Sequence, residues 1–171
     1  LSRLSASLLW RRGIRTADQA RRFLTPNLAA LSDPWLLPDM ARGMARLRRA
    51  IAAGEPTLIF SDSDVDGLTA SVILYEALEA LGAVVRAKLS NRIRDGYGLP
   101  ATAVQSIARS STKLVLLVDC GTNQPDAVDA LAAHGIDTII VDHHVPLERC
   151  AKPHALINPH ADADGEFQEL S

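Results

Sequence analysis

Three apolar runs in this chain each stop on an acid, and that repetition limits the fold more than any other feature. Thr57-Leu58-Ile59-Phe60 leads into Asp62-Ser63-Asp64-Val65-Asp66-Gly67, Leu114-Val115-Leu116-Leu117-Val118 ends at Asp119-Cys120-Gly121, and Thr138-Ile139-Ile140-Val141 ends at Asp142-His143-His144. Short runs without polar alternation suit strands buried on both faces. Helical patterns separate them: a helix from about Leu68 to Leu81 stopped by Gly82, another over Ala101 to Ala108, and a third over Pro125 to His134. Val84 to Leu89 reads as a further strand, and Lys113 to Val118 and Ile136 to Val141 complete the series. Such alternation predicts an α/β domain: a mainly parallel sheet with helices on both faces.

In an open parallel sheet, residues just past the carboxyl ends of neighbouring strands converge on one crevice. The three acidic stops would then bring together five Asp (Asp62, Asp64, Asp66, Asp119 and Asp142) and two His (His143 and His144). Carboxylates this close repel one another unless a positive charge sits among them, and oxygen-rich clusters suit hard divalent cations such as Mg²⁺ or Mn²⁺. Taken alone, the first motif also fits an acidic turn whose Asp or Ser caps a helix.

Residues 1–53 hold ten Arg and three acids, whereas the remainder holds eight basic and seventeen acidic residues. An acidic half suits a cation site, and an Arg-rich half suits a polyanion; solvated helix faces attracted to the acidic half are the plainer alternative. The leading segment reads as helical. Leu1, Leu4, Leu8 and Leu9 fall at helical spacing before Gly13, and Thr16 with Gln19 fits a capping box. Asp39 is placed to cap a helix whose stripe is Met40, Met44, Leu47 and Ile51, with Arg42, Arg46, Arg48 and Arg49 mostly turned away from it. The expected organisation is therefore a helical Arg-rich segment over residues 1–53 and an α/β domain over 54–171. No apolar stretch is long enough to cross a bilayer and no signal peptide is visible, so the expected compartment is the cytoplasm. Cys120 and Cys150 lack metal-type spacing.

The motifs together resemble the DHH phosphoesterases, named for the triplet seen here as Asp142-His143-His144, and within them the RecJ type of single-strand-specific DNA exonuclease. The likeness rests on Asp62 to Gly67, on Asn91-Arg92 followed by Gly96-Tyr97-Gly98-Leu99, and on Asp119-Cys120-Gly121, Asp142-His143-His144 and Ile157-Asn158-Pro159. It extends into the leader through Arg12-Gly13-Ile14, Phe23-Leu24 and Asp33-Pro34. The resemblance implies a metal-dependent enzyme that hydrolyses single-stranded DNA from its 5′ end to mononucleotides, in DNA repair and recombination. It also implies two Mn²⁺ or Mg²⁺ ions, with a single-strand-binding protein and a helicase as partners.

By the same resemblance Asp64, Asp66, Asp119 and His143 are metal ligands, with Asp62 beside them. Asp142 is an acceptor that fixes the tautomer of a neighbouring imidazole. His144 touches the scissile phosphate or supports the second metal, or else serves only as a cap. Asn91, Arg92 and Tyr97 fall on the substrate side: Arg92 could fork onto phosphate oxygens and Tyr97 could support a base or sugar, although Gly-Tyr-Gly by itself is a turn with a buried ring. Two positions depart from the family pattern, Ser90 standing where Pro is common and Ser63 where an aromatic is usual. The family also places another metal-binding Asp and a second substrate-binding domain further along, so the chain reads as an N-terminal portion with an incomplete domain and low activity of its own. The acids Asp162 and Asp164 do not match that further motif. Three alternatives are open, the first within the same superfamily and the other two of different classes. They are a phosphodiesterase for oligoribonucleotides or cyclic dinucleotides, a non-catalytic DHH scaffold in replication, and a receiver domain with Asp119 as phosphoacceptor, which would leave Asp142-His143-His144 without a role.

Overall fold

A computed structural model of the chain describes residues 1–25, 27 and 31–162, with Asp95 described in its backbone alone. From residue 163 the acidic tail, Asp164 included, lies outside the described residues. The chain divides into two units, Leu1–Asp33 and Pro34–Ser171. The division precedes the charge boundary between residues 53 and 54.

The first unit holds helices α1 (Arg3–Arg11) and α2 (Ala17–Leu24). The Thr16 hydroxyl accepts from the Gln19 backbone N–H at 3.2 Å while the Gln19 side chain accepts from Thr16 N–H at 3.0 Å, the reciprocal capping box expected from the sequence. Of the leucines at helical spacing in α1, only Leu9 is buried.

The second unit is a five-stranded, all-parallel sheet in the order β2-β1-β3-β4-β5. The strands are β1 (Thr57–Ser61), β2 (Val85–Leu89), β3 (Leu114–Val118), β4 (Asp137–Val141) and β5 (Ala155–Ile157). Helices α3 (Met40–Ala52), α4 (Val65–Ala80), α5 (Arg92–Asp95), α6 (Ala101–Ala108) and α7 (Pro125–Ala133) complete it. One face of the sheet packs Leu58, Phe60, Val115, Leu117 and Ile140 against residues of α6 and α7, among them Ile107, Val128 and Leu131. The other face packs Ile59, Leu116, Val118 and Ile139 against α3 and α4 through Leu47, Ala50, Leu74 and Leu78. Helices therefore cover both faces, and β1 and β3 are buried along their whole length.

The expected elements fall within a few residues of those observed. Four short elements among the described residues went unread, two of them the 3₁₀ turns Pro34–Leu36 and Pro159–Ala161. The segment Arg92–Asp95 is a single helical turn capped by Asn91, whose side chain accepts from Arg94 N–H at 3.1 Å, and Ala155–Ile157 is a three-residue edge strand. Asp39 does stand before α3, but its side chain makes no cap. Its φ is +54°, and its carboxylate accepts instead from Leu156 N–H at 3.0 Å, tying α3 to β5. Arg46 is also placed differently from its expected outward position. It is buried, donating from Nη2 to Glu55 at 2.6 Å and from Nε to Asp137 at 2.5 Å.

Strand order puts the chain reversal between β1 and β3. From β1 the chain crosses through α4 to β2 on one side, and later crosses back to reach β3 on the other, which opens a crevice at the carboxyl ends of these two strands. Register then sets the level of the crevice. Ser61 pairs with Leu89 and with Val118, Val118 with Val141, and Val141 with Ile157. The next residues, Ser90, Asp62, Asp119, Asp142 and Asn158, thus form one row across the sheet end.

Candidate metal centre

Asp62 is the first residue of the row to be fixed, because β1 delivers it fully buried. Its carboxylate accepts from Arg92 Nε at 2.9 Å, from Arg92 Nη2, from Ser90 Oγ at 2.8 Å and from Ser63 N–H at 2.7 Å. The Arg92 guanidinium is the chief cause that holds this carboxyl down at about 2, against the opposing effect of burial. Asp64 then caps α4, accepting from Gly67 N–H at 3.1 Å through Oδ1 and from Arg92 Nη2 at 2.7 Å through Oδ2. The Gly67 N–H is the main reason that Asp64 lies below the usual carboxylate range. Gly67 is required here: a Cβ at this position would overlap the Asp62 carbonyl oxygen.

The turn after β3 carries backbone strain. Asp119 adopts φ +56° and Gly121 φ +108°, and a Cβ on Gly121 would lie 2.8 Å from Leu117 Cδ1. Between them Cys120 is fully buried, and burial raises its thiol pKa, which agrees with a packing role for this cysteine. The turn holds the Asp119 carboxyl within hydrogen-bonding reach of Asp64 and 3.0 Å from His143 Nε2. Burial, then Asp64, push Asp119 above the ordinary carboxylate range, with His143 opposing.

After β4 the backbone folds around Asp142. Its Oδ1 accepts from His143 N–H at 2.8 Å and from His144 N–H at 3.2 Å, and lies 2.7 Å from His144 Nδ1; its Oδ2 accepts from Thr122 N–H at 3.1 Å. Burial alone would raise this carboxyl, but the bonds from Thr122 and His144 outweigh it and hold it low. Donor atoms of Asp119, Asp142, His143 and His144 lie within 4.8 Å of one another. Oxygen and imidazole donors at this spacing, with Asp64 crowding Asp119 from the side, fit a divalent cation.

The remaining expected residues arrange around that cluster. Asp66, in the first turn of α4, is exposed and lines a shallow cleft with Val118, Asp119, Val141 and His143. Tyr97 Oη lies 3.2 Å from His144 Nδ1 and 3.4 Å from its Nε2, and the two rings meet edge to face at 5.5 Å. Arg92 lies 5.9 Å over the Tyr97 ring. Asn91 makes its bond within α5 and stands apart from the cluster. Three participants had no site role assigned from the sequence: Ser90 and Asn158, noted there only as parts of motifs, and Thr122, which was not singled out. Asn158 is fully buried and donates to Thr122 Oγ1 at 3.0 Å and to the His144 carbonyl at 2.9 Å. Strand register, which puts Ser90 and Asn158 in the same row as the three Asp, is the signal that finds two of them.

This sheet order also occurs in folds of unrelated chemistry, so order alone selects no family. The deciding observation is that residues 56–166 match the DHH family, N-terminal domain. The chain belongs to the DHH family. That membership accounts for the Asp142-His143-His144 triplet, which the receiver reading left without a role. The single-stranded-DNA-specific exonuclease RecJ of Bacillus subtilis is 33% identical over 156 residues, covering 91% of this chain and 20% of that protein. The RecJ of Escherichia coli is 30% identical over 161 residues, covering 93% of this chain and 26% of the relative. The chain thus spans about a quarter or less of the length of these curated relatives. Among solved structures, RecJ in complex with Mn²⁺ from Thermus thermophilus matches with a TM-score of 0.71 and 28% identity over 94% of this chain and 22% of the other. A second, exonuclease RecJ bound to manganese, gives 0.72 and 29% over 78% of this chain and 34% of the other. The DHH resemblance and the α/β fold expected from the sequence are both established by these matches. Among the described residues, no helix is long and apolar enough to cross a membrane.

Proposed function

We propose that this chain carries the metal-binding half of a single-strand-specific DNA exonuclease, which cleaves phosphodiesters in the 5′-to-3′ direction and releases mononucleotides. The observation that carries this reading is the convergence of Asp64, Asp119, Asp142, His143 and His144 at one sheet end in a DHH-family chain. Asp64, Asp66, Asp119 and His143 are the proposed holders of two Mn²⁺ or Mg²⁺ ions. When bound, such ions stabilise charge on phosphoryl oxygens and lower the pKa of an attacking water. Residues 54–171 serve as the DHH domain, a reading supported by the family match over 56–166, with the Arg-rich segment 1–53 ahead of it in the sequence.

The protein's own groups position the substrate. Asp142 holds the His144 ring by Nδ1, which leaves Nε2 to face a phosphate oxygen, and Tyr97 sets the edge of that ring. Arg92 faces solvent on one side of the carboxylates, and its planar fork suits two oxygens of a phosphate. Charge on the carboxylates repels a polyanion until cations neutralise them, so divalent ions and DNA bind in that order.

Calorimetry with Mn²⁺, together with single strands labelled at the 5′ or 3′ end, tests the reading. Expected are Mn²⁺ binding that Asp64→Ala, Asp119→Ala and His143→Ala each weaken at least tenfold or so, and Mn²⁺-dependent loss of the 5′ label first. Unchanged Mn²⁺ affinity in all three variants overturns the site. Equal attack on duplex overturns the single-strand specificity, and first loss of the 3′ label overturns the polarity.

A further inference from the structure

Among the acids of the row, Asp62 and Asp142 have their acceptor capacity already filled, and at Asp62 alone of the two a guanidinium does the filling. Asp62 is fully buried, and the four bonds to it come from a guanidinium, a hydroxyl and a backbone N–H. Two carboxylate oxygens offer about four lone-pair sites, so little is left for a cation. The hydroxyl belongs to Ser90, itself buried. Ser63 Oγ lies 3.5 Å from Ser90 Oγ, so two hydroxyls meet beside this carboxylate.

Arg92 shows the complementary asymmetry. Its Nε and Nη2 are committed to Asp62 and Asp64, whereas its Nη1 has no partner among the described residues, and about half of the side chain, 48%, is exposed. One edge of the fork is bolted down, and the guanidinium carbon lies 5.9 Å from the centre of the Tyr97 ring. A buried carboxylate that accepts two bonds from one guanidinium fixes that group's plane, which is what recognition of a phosphate requires.

We propose that Asp62, helped by Ser90, is the anchor that aims Arg92 at a phosphate of the nucleic-acid strand and is not a ligand to the divalent ions, whose carboxylate set begins at Asp64. The inference rests on the nuclease reading above and assigns positioning roles within it. Asp62 and Ser90 act through Arg92. Because Arg92 Nη2 also reaches Asp64, the same guanidinium balances the charge of Asp64 until a cation takes that place, and it is then held by Asp62 alone.

Two binding measurements on the 171-residue chain separate the roles. The first is Mn²⁺ affinity by calorimetry. Asp62→Asn should leave it within about twofold of the wild type, whereas Asp64→Asn should weaken it about tenfold or more, since only the second loses a ligand. The second is affinity for a 5′-phosphorylated oligothymidylate with Ca²⁺ in place of Mn²⁺. Asp62→Asn and Arg92→Gln should each weaken it about tenfold, and the double variant should be no weaker than either, because both remove one unit. Arg92→Lys, which keeps the charge without the fork, should not restore it. Should Asp62→Asn fail to fold, Ser90→Ala takes its place, with Mn²⁺ affinity unchanged and oligonucleotide affinity lowered. Loss of Mn²⁺ affinity in Asp62→Asn equal to that in Asp64→Asn overturns the proposal, as does additivity in the double variant or unaltered oligonucleotide binding in Ser90→Ala. If the wild type binds neither Mn²⁺ nor the oligonucleotide, the nuclease reading falls first and takes this inference with it.

Discussion

The pair Asp62 and Arg92 makes a stability statement as well as a functional one. Asp62 ionises at about 2 in the folded chain against an ordinary 3.8, so the folded state favours its charged form. A depressed carboxyl contributes stability that is fully present above its unfolded pKa and lost as pH falls through the folded value. The window is therefore about pH 4 down to about pH 2, and the contribution at neutral pH is about 2 kcal/mol for a carboxylate with no solvent exposure. Asp62→Asn should lose about that much at pH 7, and its deficit should close as pH drops from 4 to 2. Urea unfolding of the two proteins at a series of pH values measures it; a deficit independent of pH would assign the loss to packing. The three acidic stops were legible from residue type, because a buried strand that ends on Asp needs a reason, and their convergence from the alternation of strands and helices that implies a parallel sheet. What Asp62 does with its charge was not legible. That depends on Ser90 and Arg92, some thirty residues further on, which β2 brings alongside β1.

Elements show the same division between local and non-local information. Helices α6 and α7 and strands β1 and β3 were legible because Pro, Gly and uninterrupted apolar runs mark them locally. Strand β5 was not, since three residues carry too little pattern, and its existence depends on pairing with β4. Arg46 was misplaced for a related reason. Periodicity put it on the outer face of α3, but Glu55 and Asp137 wait there at the amino ends of β1 and β4 to receive it. Its long stem packs while its head is paired, so removal costs both. Arg46→Ala should destabilise the fold by about 3 kcal/mol, at the low end for a buried pair because Glu55 and Asp137 can both rehydrate. Denaturant midpoints at constant slope report this, and a loss under about 1 kcal/mol would show that α3 is held by its apolar stripe alone.

At the scale of the whole molecule the site is open to solvent: His143 and His144 are each 41% exposed and Asp66 lies uncovered at the head of α4. Exclusion of water strengthens electrostatic interactions within a site, and positioning of the strand supplies a large share of rate enhancement. Joining these 171 residues to the further length present in the curated relatives should therefore raise single-strand cleavage by about a hundredfold or more at equal Mn²⁺. Initial rates on one labelled strand make the comparison, and equal rates that Asp64→Ala abolishes would show that the open site already suffices.

The row of residues at the sheet end has a consequence for how such a chain can change over generations. Ser90, Asp62, Asp119, Asp142 and Asn158 are level because five strands end in register, each one residue short of its functional group. A connection on the helical side can gain or lose a residue and leave that row untouched. Within β1, β3 or β4, a single inserted residue would turn the group to the opposite face and set it out of line. Length variation is thus tolerated between the strands and forbidden along them, so the chemistry itself polices the alignment of the sheet.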